Sequence, residues 1–233
     1  MYFPWVGMFE QIRLSDVFLF YDDVQFSKGS FTNRVQIKTS GKDGFNWLTV
    51  PLKELKLGLK INEVKIDNNK NWKKQHIDLL KEAYKAAPYY TDMINIVESL
   101  FELQLNYISD LSQKSMELIV GYFNFEEQKK FYLSSKLNIP GNSSERVYEI
   151  VKYFKGTKYI TGHGAKSYLD HQLFEENGVD VEYMEYKRLP YPQQFGAFDP
   201  HVSILDLIAN TGLEGKANII SSTKKWKEFI YES

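Results

Sequence analysis

The sequence predicts an α/β fold, a layered and mainly parallel, Rossmann-like sheet with a helical insertion in the middle of the chain. Three observations predict it. Short apolar runs, Val17 to Tyr21 and Tyr159 to Thr161, each end in a polar or glycine-rich cluster, as buried strands do. Helical patterns alternate with such runs in the first and last thirds. Between about residues 69 and 125 the pattern is helical throughout. The 233 residues are enough for a sizeable core. They are read as one domain, 1–233, with 69–125 as an insertion or subdomain within it.

In chain order, Gly7 to Leu14 reads as a short helix and Val17 to Tyr21 as a buried strand. Arg34 to Lys38 alternates, with Val35 and Ile37 on one side. Ser40, Gly41 and Gly44 mark a loop, and Trp47 to Val50 is a strand stopped by Pro51. Ile61 to Ile66 alternates less cleanly. From Asn71, the positions Trp72, His76, Leu79, Leu80 and Ala83 share a helical face that stops before Pro88. A single longer helix is expected from about Ile94 to Phe123. Phe131 to Leu133 is a strand. Asn142, with Glu145 three residues on, reads as a capping box opening a helix. Tyr159 to Thr161 is a strand running into Gly162-His163-Gly164. A short helix holds Leu169, Leu173 and Phe174, and Val179 to Tyr186 is a strand. Ser203 to Asn210 is a helix closed by Gly212.

Composition narrows the chemistry. Apolar residues make up 43% and charged residues 25%, and the formal net charge is −1. No global basic field pulls the chain onto nucleic acid or anionic lipid, although a local basic patch stays open. No cysteine is present, so disulfides, thiolate nucleophiles and thiolate-bound metals are excluded. This composition fits a cytoplasmic protein. No apolar run of about 18 residues predicts a membrane span. The four histidines, at 76, 163, 171 and 201, show no metal-ligand spacing, so no metal site is assigned. Neither a P-loop nor a GxSxG elbow occurs, and no cofactor is assigned.

Several groups carry candidate chemistry. Asp22 and Asp23 follow a strand, and consecutive strand residues face opposite ways, so both act together only if the strand has ended by Asp22. One would accept a proton from an attacking amine or orient a sugar hydroxyl, while the other caps a turn. An ordinary Asp-rich turn is the alternative. Gln25, Lys28, Asn33, Arg34 and Lys38 follow closely. The cations read as phosphate or carboxylate clamps, or as a solvated face, and Arg34 is preferred. Pro4, Trp5 and Gly7 lie ahead of a helix, either as a seat for a phosphate on free N–H groups or as a packed aromatic turn. Gly162 and Gly164 permit close backbone approach to a ligand, and His163 between them can act as a base near neutral pH. A tight strand-to-helix turn explains the same residues. Tyr191, Gln193 and Gln194 offer a stacking ring and amides suited to a sugar, or form a plain surface loop. Ser203 and Asp206 read as a helix N-cap and its partner three residues on. His76 reads as a hydrogen-bonded core histidine.

The blocks YFPWVGMFEQI at 2–12, DVFLFYDDVQF at 16–26, NRVQIK at 33–38, WLTVPL at 47–52 and INEVKIDN at 61–68 resemble the WbqC-like family of bacterial proteins. TGHGAKSYL at 161–169 and FDPHVSILDLIANTG at 198–212 extend the resemblance over nearly the whole chain. It implies a place in surface-polysaccharide biosynthesis, such as that of O-antigen. It also implies transfer of an aminoacyl group, typically glycyl, to the amino group of a deoxyamino sugar. The expected partners are a nucleotide-linked amino sugar and an activated amino-acid donor whose type the sequence does not identify. In that reaction Asp22 or Asp23 serves as base or sugar orienter, Arg34 and the turn at Gly7 hold phosphates, and N–H groups from Gly162 to Ala165 stabilise an oxyanion. Family members usually begin with a further strand before the YFPW-type block, so a first strand is expected to be missing here. A non-catalytic sugar-binding protein and a glycosyltransferase are the rival readings.

Overall fold

The computed structural model describes residues 1–125 and 129–231. The fold is α/β, built of helices and small sheets. The chain opens with α1 (Val6–Leu14) and β1 (Val17–Phe20), followed by β2 (Arg34–Lys38), β3 (Phe45–Thr49), β4 (Leu52–Lys53) and β5 (Lys65–Ile66). Three helices come next, α2 (Trp72–Tyr84), α3 (Tyr90–Glu102) and α4 (Ile108–Tyr122). Then come β6 (Lys130–Leu133), α5 (Ser143–Tyr153), β7 (Lys158–Thr161), α6 (His171–Glu176) and β8 (Asp180–Met184). The chain closes with α7 (Ile204–Thr211), β9 (Thr223–Lys225) and α8 (Trp226–Tyr231).

Two compact units emerge, each assembled from non-adjacent stretches. The first comprises Met1–Phe9, Tyr21–Glu127 and Arg188–Ile219, and the second Glu10–Phe20, Gln128–Lys187 and Ile220–Ser233. In the first unit β2 and β3 form an antiparallel hairpin, with Gln36 opposite Trp47 and Lys38 opposite Phe45. Strand alternation sends Val35, Ile37 and Leu48 to the buried face. Helix α2 turns Trp72, His76, Leu80, Ala83 and Tyr84 inward, the spacing of one helical stripe. It packs on α3, which packs in turn on α4 and α7. Helix α7 is buried on every side along Ile204 to Asn210.

In the second unit β7 runs through α6 into β8, which pairs with it in parallel, making a βαβ unit. Strand β9 adds antiparallel to β8, and β1 pairs in parallel with β6. The core here gathers Val151, Ala165, Leu169, Phe174, Val179, Val181 and Tyr183.

Three local expectations need correction. The helix expected over Ile94 to Phe123 is two helices. Leu103 takes an extended conformation, and the chain to Tyr107 lies along β5, where Ile66 N–H donates to Asn106 O and Ile108 N–H to Val64 O. Those non-local bonds outcompete helical ones. The run Ile61 to Ile66 is not one strand, since Ile61–Glu63 forms a 3₁₀ turn and only Lys65–Ile66 pairs. Asn142 is the N-cap residue of α5, yet its side chain makes no capping bond.

The expected C-cap of α7 is present and carries a sharp demand. Gly212 has φ +59 and ψ −145, and an added Cβ would lie 2.5 Å from the Tyr89 ring. Strain and overlap act together in Gly212→Ala, which should lose roughly 2–4 kcal/mol of stability. A urea midpoint unchanged from the wild type would refute this.

Candidate functional site

The most concentrated chemistry lies in the first unit, around Asp206 in the first turn of α7. Its neighbours Ile204, Leu205, Leu207 and Ile208 are apolar and, like Asp206 itself, wholly inaccessible to solvent. Tyr84, at the end of α2, donates its hydroxyl to Asp206 Oδ2 at 2.9 Å. Tyr191 bonds the same carboxylate from the irregular segment before α7. Asn210 donates to the Asp206 backbone carbonyl at 2.8 Å and in turn accepts from Gln194 at 3.1 Å.

Gln193 organises the cover. Its Nε2 donates to Tyr191 OH at 3.0 Å and to Asp199 O at 2.9 Å. Its Oε1 accepts from Asp199 N at 2.8 Å and from Lys38 Nζ at 3.1 Å. Lys38, buried at the end of β2, also donates Nζ to Ala197 O. The cluster therefore holds a carboxylate, two phenols, an ammonium and three amides.

Burial dominates the electrostatics. Desolvation pushes the Asp206 carboxyl up to about 6, against the pull of hydrogen bonds from Tyr84 and Tyr191 and the charge of Lys38. Tyr84 and Tyr191 are both held well above the usual phenol range by burial and by the adjacent Asp206. Elsewhere in this unit Tyr2 OH lies 3.1 Å from His76 Nδ1, and His76 Nε2 lies 3.2 Å from Thr49 O. A carbonyl only accepts, so Nε2 carries the ring hydrogen and Nδ1 accepts from Tyr2. His76 is thus a buried, hydrogen-bonded core histidine, and desolvation lowers it to about 4.

The residues anticipated from sequence fall into separate groups. Tyr191 and Gln193 belong to the cluster. Asp22 is buried and Asp23 half-buried, in a stretch whose backbone runs along residues 59–62. There Asp22 O accepts from Asn62 N, and the exposed Gln25 bridges to Lys60. Asn33 ties β2 to the end of β3, since its Nδ2 donates to Val50 O at 2.9 Å. Arg34 donates Nη2 to Gly29 O, next to the exposed Lys28, and lies 4.4 Å over the Trp47 ring. Pro4 and Trp5 are clasped to α7, as Ile204 N–H donates to Pro4 O and Trp5 bridges Ser203. Gly7 is required because the Trp5 indole lies where a Cβ would stand, 2.2 Å away.

Gly162, His163 and Gly164 lie in the second unit, on the turn after β7. A Cβ on Gly162 would meet the Tyr186 hydroxyl at 2.7 Å, while Gly164 faces open space. His163 Nε2 lies 2.6 Å from Met184 O, so it carries the hydrogen and leaves Nδ1 for any proton transfer. The Ala165 N–H already donates to Gly162 O and is spent as an oxyanion donor.

The blocks that resemble a known family are thus spread over both units, and the match itself is extensive. The WbqC-like protein family matches residues 1–218. The chain belongs to that family. It is similar to the uncharacterized protein Rv1507c of Mycobacterium tuberculosis, at 32% identity over 216 residues and 91% of each chain. No solved structure matches this WbqC-like protein. Among the described residues no helix is long and apolar enough to cross a membrane, and no group of three or more His, Cys, Asp or Glu could hold a metal ion.

Sequence alone does not mark Tyr84 or Asn210 as candidates, and it reads Asp206 as a capping residue. Ser203 does cap α7, accepting from Leu205 N at 3.2 Å, but Asp206 turns instead to Tyr84. A lone carboxylate within SILDLIAN was the available signal.

Asp206 and His76 should pull stability in opposite directions with pH. Asp206 is raised from 3.8 to about 6, so its contribution is complete below about pH 4 and is lost as pH rises through 6. His76 is lowered from 6.5 to about 4, so its contribution is complete above 6.5 and is lost as pH falls through 4. Each is on the order of 3 kcal/mol, at about 1.4 kcal/mol per pKa unit. Relative to the wild type, Asp206→Asn should gain stability as pH rises from 4 to 6, and His76→Gln should lose it. Parallel urea midpoints for all three proteins over that range would contradict both assignments.

Proposed function

We propose that this WbqC-like protein transfers an aminoacyl group, glycyl in the first instance, to the amino nitrogen of a nucleotide-linked deoxyamino sugar. The family suggests a polysaccharide-associated role. A nucleotide-linked acceptor would place the reaction in the cytoplasm. The observation that carries the chemistry is the Asp206 carboxyl at about 6, bonded to two phenols and within the field of Lys38.

In the reaction the amine attacks the acyl carbon, a C–N bond forms, the bond from acyl carbon to leaving group breaks, and the amine proton must go to a base. A carboxylate poised near neutral pH suits that role better than one at the ordinary carboxylate value. The Lys38 ammonium, released from Ala197 O, would stabilise charge on the tetrahedral oxygen. We assign Asp22 and Asp23 to orienting sugar hydroxyls. In the second unit the parallel β7–α6–β8 arrangement supports a Rossmann-like reading, with the Gly162-His163-Gly164 turn at the carboxyl edge of β7, where such folds receive ligands.

One observation favours a non-catalytic sugar-binding protein, the complete burial of Asp206. The two readings separate in one assay. The protein is incubated with a nucleotide-linked deoxyamino sugar and either glycine with ATP or glycyl-tRNA, and the sugar is followed by mass spectrometry. A sugar heavier by one glycyl unit, formed roughly 10²–10⁴-fold more slowly by Asp206→Asn, is the expected result. Sugar binding without product from either donor would leave the binding reading in its place.

A further inference from the structure

The outer face of the β2–β3 hairpin is buried at Lys38 and exposes aromatic surface on β3. Phe45 and Trp47 project from it two residues apart on β3, and Phe31 reaches Trp47 from the preceding loop. Ring centroids lie 5.8 Å apart for Phe31 and Trp47, and 6.3 Å for Phe45 and Trp47. Phe31 is 55% exposed and Phe45 39%. Isolated exposed aromatics need no explanation, but two exposed rings meeting on a half-buried third do.

Charge accompanies the rings. From Ser27 to Lys53 the chain has five lysines and arginines against one carboxylate, Asp43, although its formal net charge is −1. Lys28 and Arg34 lie three residues to either side of Phe31 in sequence, and Lys42 lies on the turn just before Phe45. The Arg34 guanidinium lies over Trp47, with its Nε buried and its Nη2 donating to Gly29 O.

We infer that this face binds single-stranded RNA, with bases stacked on Phe31 and Phe45 and phosphates held by Lys28, Arg34 and Lys42. Aromatic rings spaced along an open sheet, with cations at both ends, suit successive nucleotides of a strand. A mononucleotide needs one ring and one phosphate clamp, and this face offers more of each than it would use. The face also adjoins the candidate site, because Lys38 lies directly opposite Phe45 in the hairpin and enters the Asp206 cluster. Taken together with the acyl-transfer reading, on which this step rests, the RNA is the acceptor end of a tRNA that carries the activated amino acid. That assigns the donor class.

The test uses the full chain and a short 5′-labelled single-stranded RNA ending in CCA, followed by fluorescence anisotropy across a salt series. Binding should weaken with salt, as phosphate contacts require. Phe31→Ala and Phe45→Ala should each weaken it about tenfold, the loss of one stacked base. Lys42→Glu should flatten the salt dependence by about one phosphate contact, a slope change of about 0.7. Melting curves of the variants report whether each remains folded, and both phenylalanines are exposed enough that folding should survive. Absence of RNA binding at low salt, or full binding by the folded Phe31→Ala/Phe45→Ala double variant, overturns the inference. So does displacement of the RNA by the nucleotide-linked amino sugar with the same variant pattern, which would give the face to the acceptor. Thermal shift with that sugar on the same samples keeps the two readings apart. RNA binding lost with sugar binding kept removes this inference alone, and the reverse removes only the acceptor.

Discussion

The first turn of α7 is the constraint on which the first unit depends. It is wholly buried, and a helix start leaves N–H groups that need acceptors. Every one of the first four finds an acceptor. Ser203 N donates to Gln36 O on β2, Ile204 N to Pro4 O, Leu205 N to Ser203 Oγ, and Asp206 N to Ser203 O. Ser203 Oγ in turn donates to Phe3 O at 2.8 Å, which holds Phe3 at φ +39 while Ser115 of α4 accepts from its N–H. One turn thus joins the YFPW segment, β2 and α4, and through Asp206 it also holds α2. An unmade bond anywhere in this set would leave a buried polar group unsatisfied, at about 1–3 kcal/mol each.

The same need for hydrogen-bond partners keeps the Asp206 cluster closed. A buried carboxylate is tolerated only with donors around it, and Tyr84 and Tyr191 supply them. The ammonium of Lys38 is likewise tolerated because Gln193 and Ala197 accept from it. Gln193 is engaged at both ends of its amide, so the cover over the cluster is held by specific bonds rather than by apolar packing alone. A cluster of this kind is rigid while complete and costly when partly broken. A ligand that enters it must replace the bonds it displaces. An acceptor oxygen offered to Lys38 does so, and a hydrocarbon group does not.

Much of the fold was legible because it rests on local periodicity. The alternation of Val35 and Ile37 defines β2, and the stripe from Trp72 to Ala83 defines α2. The break between α3 and α4 was not legible. Leu103 to Tyr107 contains neither proline nor glycine, and the bonds that hold it away from a helix come from Val64 and Ile66, some forty residues earlier in the chain. Strand β9 was missed for a related reason, since Thr223–Lys225 offers no apolar side chain and exists through its pairing with β8. Asp206 shows the limit most clearly. Ser-x-x-Asp reads the same whether the carboxylate caps a helix or enters a core, and its partner Tyr84 is 122 residues distant.

Strand β2 connects the open aromatic face with the closed Asp206 cluster. Its inner side chains, Val35 and Ile37, are core, and its free edge gives Gln36 O to α7. Its outer side chains run from Arg34, over the open aromatic face, to Lys38, inside the closed cluster. Gln36 lies two positions from each of these cations, so they lie about 13 Å apart along a strand that rises roughly 3.3 Å per residue. That is the scale of two nucleotides of an extended strand, short enough for a chain end stacked on Phe45 to present its terminal ester at Lys38. Under the acyl-transfer reading, the positive charge at Lys38 then serves twice, first drawing the strand end inward and afterwards stabilising the oxygen of the carbonyl under attack. A neutral side chain in its place would retain the stacking face and lose the connection between that face and the chemistry.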